Sequence, residues 1–119
     1  MLSDFLSQLE HIRVLPQSQD EIKTSSHYCL SIVLDESISA QRPEIMNRLK
    51  EQGIGTSIYY PQPVPRMKYY KEKYGYNQLQ YNTAATISDN SIAFPVGPHL
   101  DKSDMETISK NLIKILKNL

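Results

Sequence analysis

The stretch HYCLSIVLD (27–35) decides the fold class, because it has the pattern of a β-strand in a chain that also carries helical patterns. Its residues alternate between two faces: one carries Tyr28, Leu30, Ile32 and Leu34, and the other carries His27, Cys29, Ser31 and Val33. A two-residue period with several β-branched and aromatic residues is typical of a strand with one buried face. The stretch therefore predicts a half-buried strand.

Helices and further strands are predicted on both sides of this strand. Pro43 at the first helical position and Gly53 just past the end bracket a helix over PEIMNRLKEQ (43–52). In the last segment Ser103 and Glu106 fit a capping box, which predicts a C-terminal helix. The apolar stripe of that helix contains Met105, Ile108, Leu112, Ile115 or Leu116, and Leu119. The other predicted elements are a helix over 3–12, a loop or an edge segment over 16–26, strands over 54–60 and 91–96, and short helices over about 67–74 and 82–90.

This order of elements predicts an α/β (α+β) fold with one layer of helices on a small sheet of about three strands. A length of 119 residues suits one domain, so residues 1–119 are expected to form a single domain. No apolar run approaches the roughly 18 residues that a membrane span needs. The N-terminal MLSDFLSQLE lacks the basic start of a secretory signal, and one cysteine cannot form a disulfide framework. We therefore expect a cytoplasmic protein with no membrane partner.

Charge and tyrosine are distributed unevenly along the chain. Residues 1–60 carry 5 basic and 8 acidic side chains, and residues 61–119 carry 8 and 5. The stretch RMKYYKEKYGY (66–76) holds most of the basic excess, and seven of the eight tyrosines lie between 59 and 81. Such a stretch can bind phosphates or nucleotides, or it can be a solvated loop and helix whose rings pack on the body. The rest of the chain is not basic, which disfavours a nucleic-acid partner.

Prolines precede this basic stretch. PQPVP (61–65) has Pro61, Pro63 and Pro65, a spacing that neither a helix nor an inner strand tolerates. We expect an extended, stiff segment that delivers the tyrosines to a fixed place.

The residues taken one by one predict no catalytic machinery. His11, His27 and His99 have no metal-ligand spacing, and each is expected to be structural or exposed. Cys29 is expected to be a buried, inert thiol. No nucleophile elbow, Walker loop or dinucleotide fingerprint is present, and no lysine has the sequence context of a desolvated Schiff-base lysine.

Several motifs in order resemble the C-terminal region of the DegT/DnrJ/EryC1/StrS family, the pyridoxal-phosphate (PLP)-dependent nucleotide-sugar aminotransferases. The strings are GIGTSIYYPQPVPRMKYY (53–70) and ATISDNSIAFPVGPHL (85–100), followed by a helix. The matching pieces are Gly53-Ile54, Tyr59-Tyr60-Pro61, Pro63-Val64-Pro65, Ala93-Phe94-Pro95 and Pro98-His99-Leu100. Arg42 and the strand that begins at His27-Tyr28 also fit, so the resemblance covers about residues 12–116.

The resemblance implies the small domain of an aspartate-aminotransferase-like (fold type I) enzyme, without the large PLP-binding domain. It implies Tyr59, Tyr60, Pro61 and Arg66 as substrate-binding residues. It implies no catalytic, cofactor or metal residue in this chain, while PLP serves the full-length family. The partners implied are a nucleotide-linked keto-sugar and either a large-domain chain or a second copy. Pro65 departs from the family pattern, which has a histidine there, so a sugar contact at this position is in doubt.

Two functions follow as hypotheses of different classes. The first is a domain that helps bind the keto-sugar nucleotide and close the site of an aminotransferase, and that is inactive alone. The second is a stand-alone, non-catalytic module that binds a sugar nucleotide or a partner protein through the tyrosine-rich stretch.

Overall fold

The computed structural model describes residues 2–15, 22–77 and 80–119. Within these ranges the chain forms six α-helices, one 3₁₀ turn and three β-strands. The helices are α1 (Leu2–Leu6), α2 (Glu36–Ser39), α3 (Arg42–Glu51), α4 (Lys68–Tyr74), α5 (Asn82–Asn90) and α6 (Lys102–Leu116). The strands are β1 (Ile12–Val14), β2 (Leu30–Leu34) and β3 (Ser91–Phe94), and the 3₁₀ turn is Val64–Arg66. Residues 16–21 of the predicted loop lie outside the described residues.

The predicted strand at 27–35 is the centre of the sheet. β2 lies between β1 and β3 and pairs with both in antiparallel register. Ile32 pairs with Val14 on one side and with Ile92 on the other. The α/β class and the count of about three strands are confirmed, but the strand itself is shorter than predicted.

Both faces of β2 are buried, which corrects the prediction of a half-buried strand under one layer of helices. Leu30, Ile32 and Leu34 belong to the main core together with α1, α3 and α6. Val33 is only 4% exposed although it points to the opposite face, and α5 contacts β2 and β3. Because α5 follows the tyrosine-rich stretch in the chain, it fixes where that stretch meets the sheet.

Two predicted elements are wrong at the edges of the sheet. The predicted helix 3–12 stops at Leu6, and Ile12 instead opens β1 on the edge of β2. The predicted strand 54–60 makes a single bridge, in which Ser57 and Ala93 exchange two backbone hydrogen bonds of 3.0 and 2.8 Å. Pro61 and Pro63 follow closely, and since proline lacks the N–H that a sheet ladder needs, the pairing does not extend. The third strand of the sheet is therefore β1.

The last helix is confirmed, but its predicted cap is wrong. Asp101 is the N-cap, and its carboxylate accepts a hydrogen bond from the Asp104 N–H at 3.0 Å. The Asp104 carboxylate in turn accepts a hydrogen bond from the Asp101 N–H at 2.9 Å. The capping box thus lies two residues before the predicted pair. Ile108, Leu112 and Ile115 are buried as predicted, whereas Leu119 is 42% exposed beyond the end of the helix.

Two smaller predictions also change. Cys29 precedes β2 and is half-buried, so it is not the buried thiol of a strand centre. The proline segment is not wholly extended, because Val64–Arg66 forms the 3₁₀ turn, in which Pro65 needs no hydrogen-bond donor. All three histidines are exposed, in agreement with the prediction.

Candidate functional site

The proline segment is attached to α5 at both of its ends. The Ser88 hydroxyl donates to the Tyr60 carbonyl, and the Arg66 guanidinium contacts both carboxylate oxygens of Asp89 at 2.8 Å. Arg42 of α3 in turn donates to the Ser88 carbonyl at 2.9 Å, which secures the end of α5. Adjacent residues of one helix therefore set the path of residues 60–66.

An apolar cleft of about 620 Å³ opens between the proline segment and α5. Its walls are Tyr59, Tyr60, Gln62, Pro63, Val64, Pro65, Met67, Tyr81, Ala84, Ile87 and Ser88. Tyr59 and Tyr60, both implied as substrate-binding residues, face this cleft together. Pro61 and Arg66 are not among its lining residues, and Arg66 is instead paired with Asp89.

The α5 wall of the cleft was not predicted from the sequence. Tyr81, Ala84, Ile87 and Ser88 recur at intervals of three, three and one, which places them on one helical face. This spacing could have indicated a shared face of the helix, but residues on one helical face belong more often to the hydrophobic core than to a binding site. Ala84 is exposed in the cleft, while Ala85 beside it is buried against the sheet.

Tyr59 also borders a second, smaller cleft. This cleft has a volume of about 360 Å³ and is lined by Tyr28, Cys29, Gly55, Ser57, Tyr59, Ala93, Phe94, Pro95 and Val96. The Tyr59 ring lies 6.2 Å from the Tyr28 ring and 6.1 Å from the Tyr60 ring, measured between centroids. The Tyr59 side chain therefore lies between the two clefts and lines both of them.

A continuous series of ring contacts leaves the first cleft at Tyr81 and runs onto α4. The distances between successive ring centroids are 5.7 Å for Tyr81–Tyr76, 5.6 Å for Tyr76–Tyr74, 6.3 Å for Tyr74–Tyr70 and 5.1 Å for Tyr70–Tyr69. We call these five residues the tyrosine ladder. No residue of α4 is buried, so the ladder contributes little to the core.

Lysines accompany the ladder. Lys73 Nζ lies 5.4 Å from the Tyr69 centroid and 5.3 Å from that of Tyr74, within cation–π range. Lys68 reaches Glu72 only at 4.0 Å, with both side chains well exposed, and such a pair contributes little. Within the described ranges Lys71 makes no ion pair. Since Asp89 offsets Arg66, the uncompensated positive charge here belongs to α4.

The described residues do not form a PLP site by themselves. A PLP enzyme needs a lysine held in its site and a charged partner for the ring nitrogen. Every lysine in the described ranges is exposed, and none lines either of the two tyrosine clefts. The donor set of the described residues does not fit the cofactor.

Other catalytic and metal chemistry is also unsupported by the geometry. Ser37 Oγ and Asp35 Oδ2 approach the same atom, His11 Nδ1, at 3.5 and 3.8 Å. A nucleophile–base–acid relay requires contacts to the two different ring nitrogens. Among the described residues no group of three or more His, Cys, Asp or Glu side chains could hold a metal ion.

The fold of this chain is also found as one part of solved aminotransferase structures. Residues 1–113 match the DegT/DnrJ/EryC1/StrS aminotransferase family, so the chain belongs to this family, as the sequence motifs indicated. Its fold matches that of Helicobacter pylori PseC, an aminotransferase involved in the biosynthesis of pseudoaminic acid, with a TM-score of 0.82 and 17% identity. That match covers 99% of this chain and 30% of PseC.

Two more relatives also match nearly the whole of this chain with only a part of their own length. S. venezuelae DesV, solved in complex with a ketimine intermediate, has a TM-score of 0.82 and 18% identity over 99% of this chain and 30% of its own. An uncharacterized protein of Methanocaldococcus jannaschii, MJ1066, is 21% identical over 103 residues, which are 87% of this chain and 26% of that protein. The chain thus spans less than a third of the length of these relatives. In the described part of the chain, no helix has the length and apolar character to cross a membrane.

Proposed function

We propose that this chain is the small domain of a PLP-dependent aminotransferase that acts on nucleotide-linked keto-sugars in the cytoplasm. In this proposal it forms one wall of the substrate site and has no activity alone. The observation that carries the proposal is the joint exposure of Tyr59 and Tyr60 in an apolar cleft, within a chain of this family.

The two tyrosines have the chemistry of a sugar wall. An aromatic ring offers an apolar face to the C–H side of a sugar, and the phenol group offers a hydrogen bond to a hydroxyl. Tyr59 and Tyr60 are 43% and 73% exposed, so both rings are accessible before a substrate binds. The Ser88 hydroxyl fixes the Tyr60 backbone, and Pro61 restricts the backbone of Tyr60, the residue before it.

Arg66 has a different position from the tyrosines. Its guanidinium already makes a two-point contact with Asp89, and it holds the 3₁₀ turn against α5. Direct binding of substrate by Arg66 stays a prediction, since it requires exchange of this partner. In this structure Arg66 supports the cleft wall by holding the 3₁₀ turn on α5.

The exposure of every lysine in the described ranges supports the proposed inactivity of the isolated chain. PLP supplies the electron sink for transamination in the full-length family, and it needs a lysine held in a shaped site. We expect purified chain mixed with PLP to give no stoichiometric visible band of lysine-bound cofactor. The same mixture in urea is the control: exposed lysines should react similarly in folded and unfolded chain, whereas a site lysine would lose its band on unfolding. A stoichiometric band that disappears in urea would contradict the proposal.

Substrate contact is tested separately with a nucleotide-linked keto-sugar. Titration followed by NMR should shift Tyr59 and Tyr60, and Tyr60→Ala should weaken binding while Tyr28→Ala, outside the main cleft, should change it less. Transaminase activity should appear only when a family large domain is added to the chain. Shifts confined to residues far from the cleft would overturn the assignment of the wall.

A stand-alone binding module is the second candidate. The specific observation in its favour is that the cleft and the tyrosine ladder lie together within this chain. Tight nucleotide-sugar binding with no gain of activity on adding a large domain would favour this function.

A further inference from the structure

The segment that follows α3 leaves one backbone edge open. Ser57 exchanges both of its backbone hydrogen bonds with Ala93 of β3. Because the backbone groups of successive residues in an extended chain point in opposite directions, the N–H and C=O groups of Thr56 and Ile58 point away from β3. Among the residues that the structure describes, neither of these two has a hydrogen-bond partner. Residues 56–58, which we call the open edge, are therefore a template for one more extended strand.

A groove of about 490 Å³ lies between this segment and α3. Its lining residues are Pro43, Met46, Asn47, Lys50, Gly55 and Thr56. The chain reverses after α3 at Gly53, whose φ of 76° suits glycine, and the Ile54 N–H then donates to the Leu49 carbonyl at 3.0 Å. The residues after Gly53 therefore return alongside the helix in the opposite direction. The groove has a helix as one wall and a strand edge as the other.

We propose that this groove binds an extended peptide, which adds a strand to the open edge and carries an apolar and an acidic side chain two residues apart. In peptide binding by strand addition, main-chain hydrogen bonds provide affinity and side-chain contacts provide specificity. The groove shares no lining residue with the cleft of Tyr59 and Tyr60. The proposal therefore goes beyond the proposed function and does not rest on it.

Met46 and Lys50 determine which side chains the peptide carries. Met46 is half-buried against the main core and offers an apolar surface that adapts to different partners. Lys50 is exposed and is the one charged residue among those that line the groove. In the described part of the chain it makes no ion pair. The groove is thus complementary to a carboxylate beside an apolar group.

The spacing of these two residues matches that of a strand. Met46 and Lys50 are four residues apart on α3, which is about 6 Å along the helix axis. Alternate residues of a strand point to the same side and are about 6.6 Å apart. Antiparallel pairing, the more stable kind, makes the peptide run in the same direction as α3. The expected order is therefore apolar, any residue, acidic, from the N- to the C-terminus of the peptide.

A second copy of this chain fits the groove less well than a peptide does. The open edge is three residues long, and Pro61 and Pro63 follow it, so two identical edges would share few hydrogen bonds. The two copies of Lys50 would also meet at the shared edge, where like charges repel each other.

The test is a titration of the 119-residue chain with the capped pentapeptide TLTET, followed by NMR. Binding should slow amide hydrogen exchange at Thr56 and Ile58, since their N–H groups gain partners, and it should shift the signals of Met46 and Lys50. The neutral peptide TLTQT should bind about two- to fivefold more weakly, as expected for the loss of one exposed charge contact. The reversed peptide TETLT should bind no better than TLTQT.

Backbone pairing is tested on the peptide, so that the fold of the chain is not disturbed. One version of TLTET is N-methylated at its second and fourth residues, and another at its third and fifth. A strand edge pairs with only one of the two rows of peptide N–H groups, so one version should lose binding and the other should keep it. Equal binding of the two versions, or loss of binding by both, would overturn the proposal.

Lysine variants test the charge contact. Lys50→Gln should weaken TLTET binding about two- to fivefold and remove the preference for TLTET over TLTQT. Lys102→Gln, at the exposed start of α6, is the matched control and should change neither. Equal effects of the two variants would contradict the proposed role of Lys50.

Two further outcomes would overturn the assignment of a peptide. One is unchanged exchange at Thr56 and Ile58 with about 5 mM TLTET, a concentration that detects even millimolar affinity. The other is exchange at these residues that slows as the chain alone is concentrated, because it would show that a second copy occupies the edge. None of these readouts depends on PLP or on the tyrosine cleft, so failure here leaves the proposed function intact.

Discussion

The helices that cover the sheet and the short helix α4 differ in how they use their large side chains. In α3 and α6 the apolar residues point inward, and Ile45, Leu49 and Leu112 are fully buried. In α4 no residue is buried, although three of its seven residues are tyrosines. Aromatic side chains that stay exposed to water gain little burial free energy to offset the conformational entropy lost on ordering them. Stability therefore resides in the sheet and the helices that cover it, whereas the exposed tyrosines of α4 are available for contacts.

The largest expected effect lies on the buried side of this comparison. Leu112→Ala removes a fully buried side chain from α6, where it packs in the main core. We expect a loss of about 2–5 kcal/mol in the free energy of unfolding, the range for such cavities. Urea unfolding followed by circular dichroism measures it.

Tyr69→Ala is the matched change on the exposed side. Its ring is 62% exposed on α4, so the unfolding free energy should change by no more than about 0.5 kcal/mol. A loss comparable to that of Leu112→Ala would contradict this prediction, because it would show that the ladder is part of the stabilising core.

The sequence was sufficient for the elements whose periodicity matches their burial. The α6 stripe and the alternation of Leu30, Ile32 and Leu34 correspond directly to the main core. Sheet membership was not predictable in the same way, because Ile12 fits a helical face and a strand equally well. Its pairing opposite Leu34 is a tertiary contact that no local pattern contains.

The sequence motif predicted which residues belong to the candidate site, but it did not predict how the cleft around them is built. Tyr59 and Tyr60 were implied by the family motifs, and they do share the cleft. The opposite wall depends on α5 packing beside the proline segment, which is set by long-range contacts such as that of Ser88 with the Tyr60 carbonyl. The ion pair of Arg66 with Asp89 spans 23 residues and likewise has no local signal.

An intermediate effect is expected at the start of α6, at the edge of the packed region. Asp101→Ala removes the carboxylate that caps the Asp104 N–H, and helix caps contribute about 1 kcal/mol. Ser103→Ala, at the residue that the sequence pattern favoured as the cap, should cost less than about 0.5 kcal/mol. Urea midpoints of the two variants decide between the two caps. A larger loss for Ser103→Ala would show that the helix starts where the sequence pattern placed it.

A small effect is also expected where the two regions meet, at the pair of Arg66 and Asp89. The side chains are 33% and 45% exposed, and the contact joins both carboxylate oxygens to one guanidinium nitrogen. A double-mutant cycle with Arg66→Gln and Asp89→Asn should give a coupling of about 0.2–1 kcal/mol, decreasing in 1 M NaCl.

The location of the effect matters more than its size. Because this pair holds the 3₁₀ turn on α5, its loss should raise amide hydrogen exchange at Arg66 and Met67, whose N–H groups bond to Pro63 and Val64. Exchange in β2 and β3 should stay unchanged, since neither residue contributes to the main core. Faster exchange throughout the sheet would mean that the cleft wall and the core open as one unit. An unchanged turn would mean that Ser88 alone holds the segment in place.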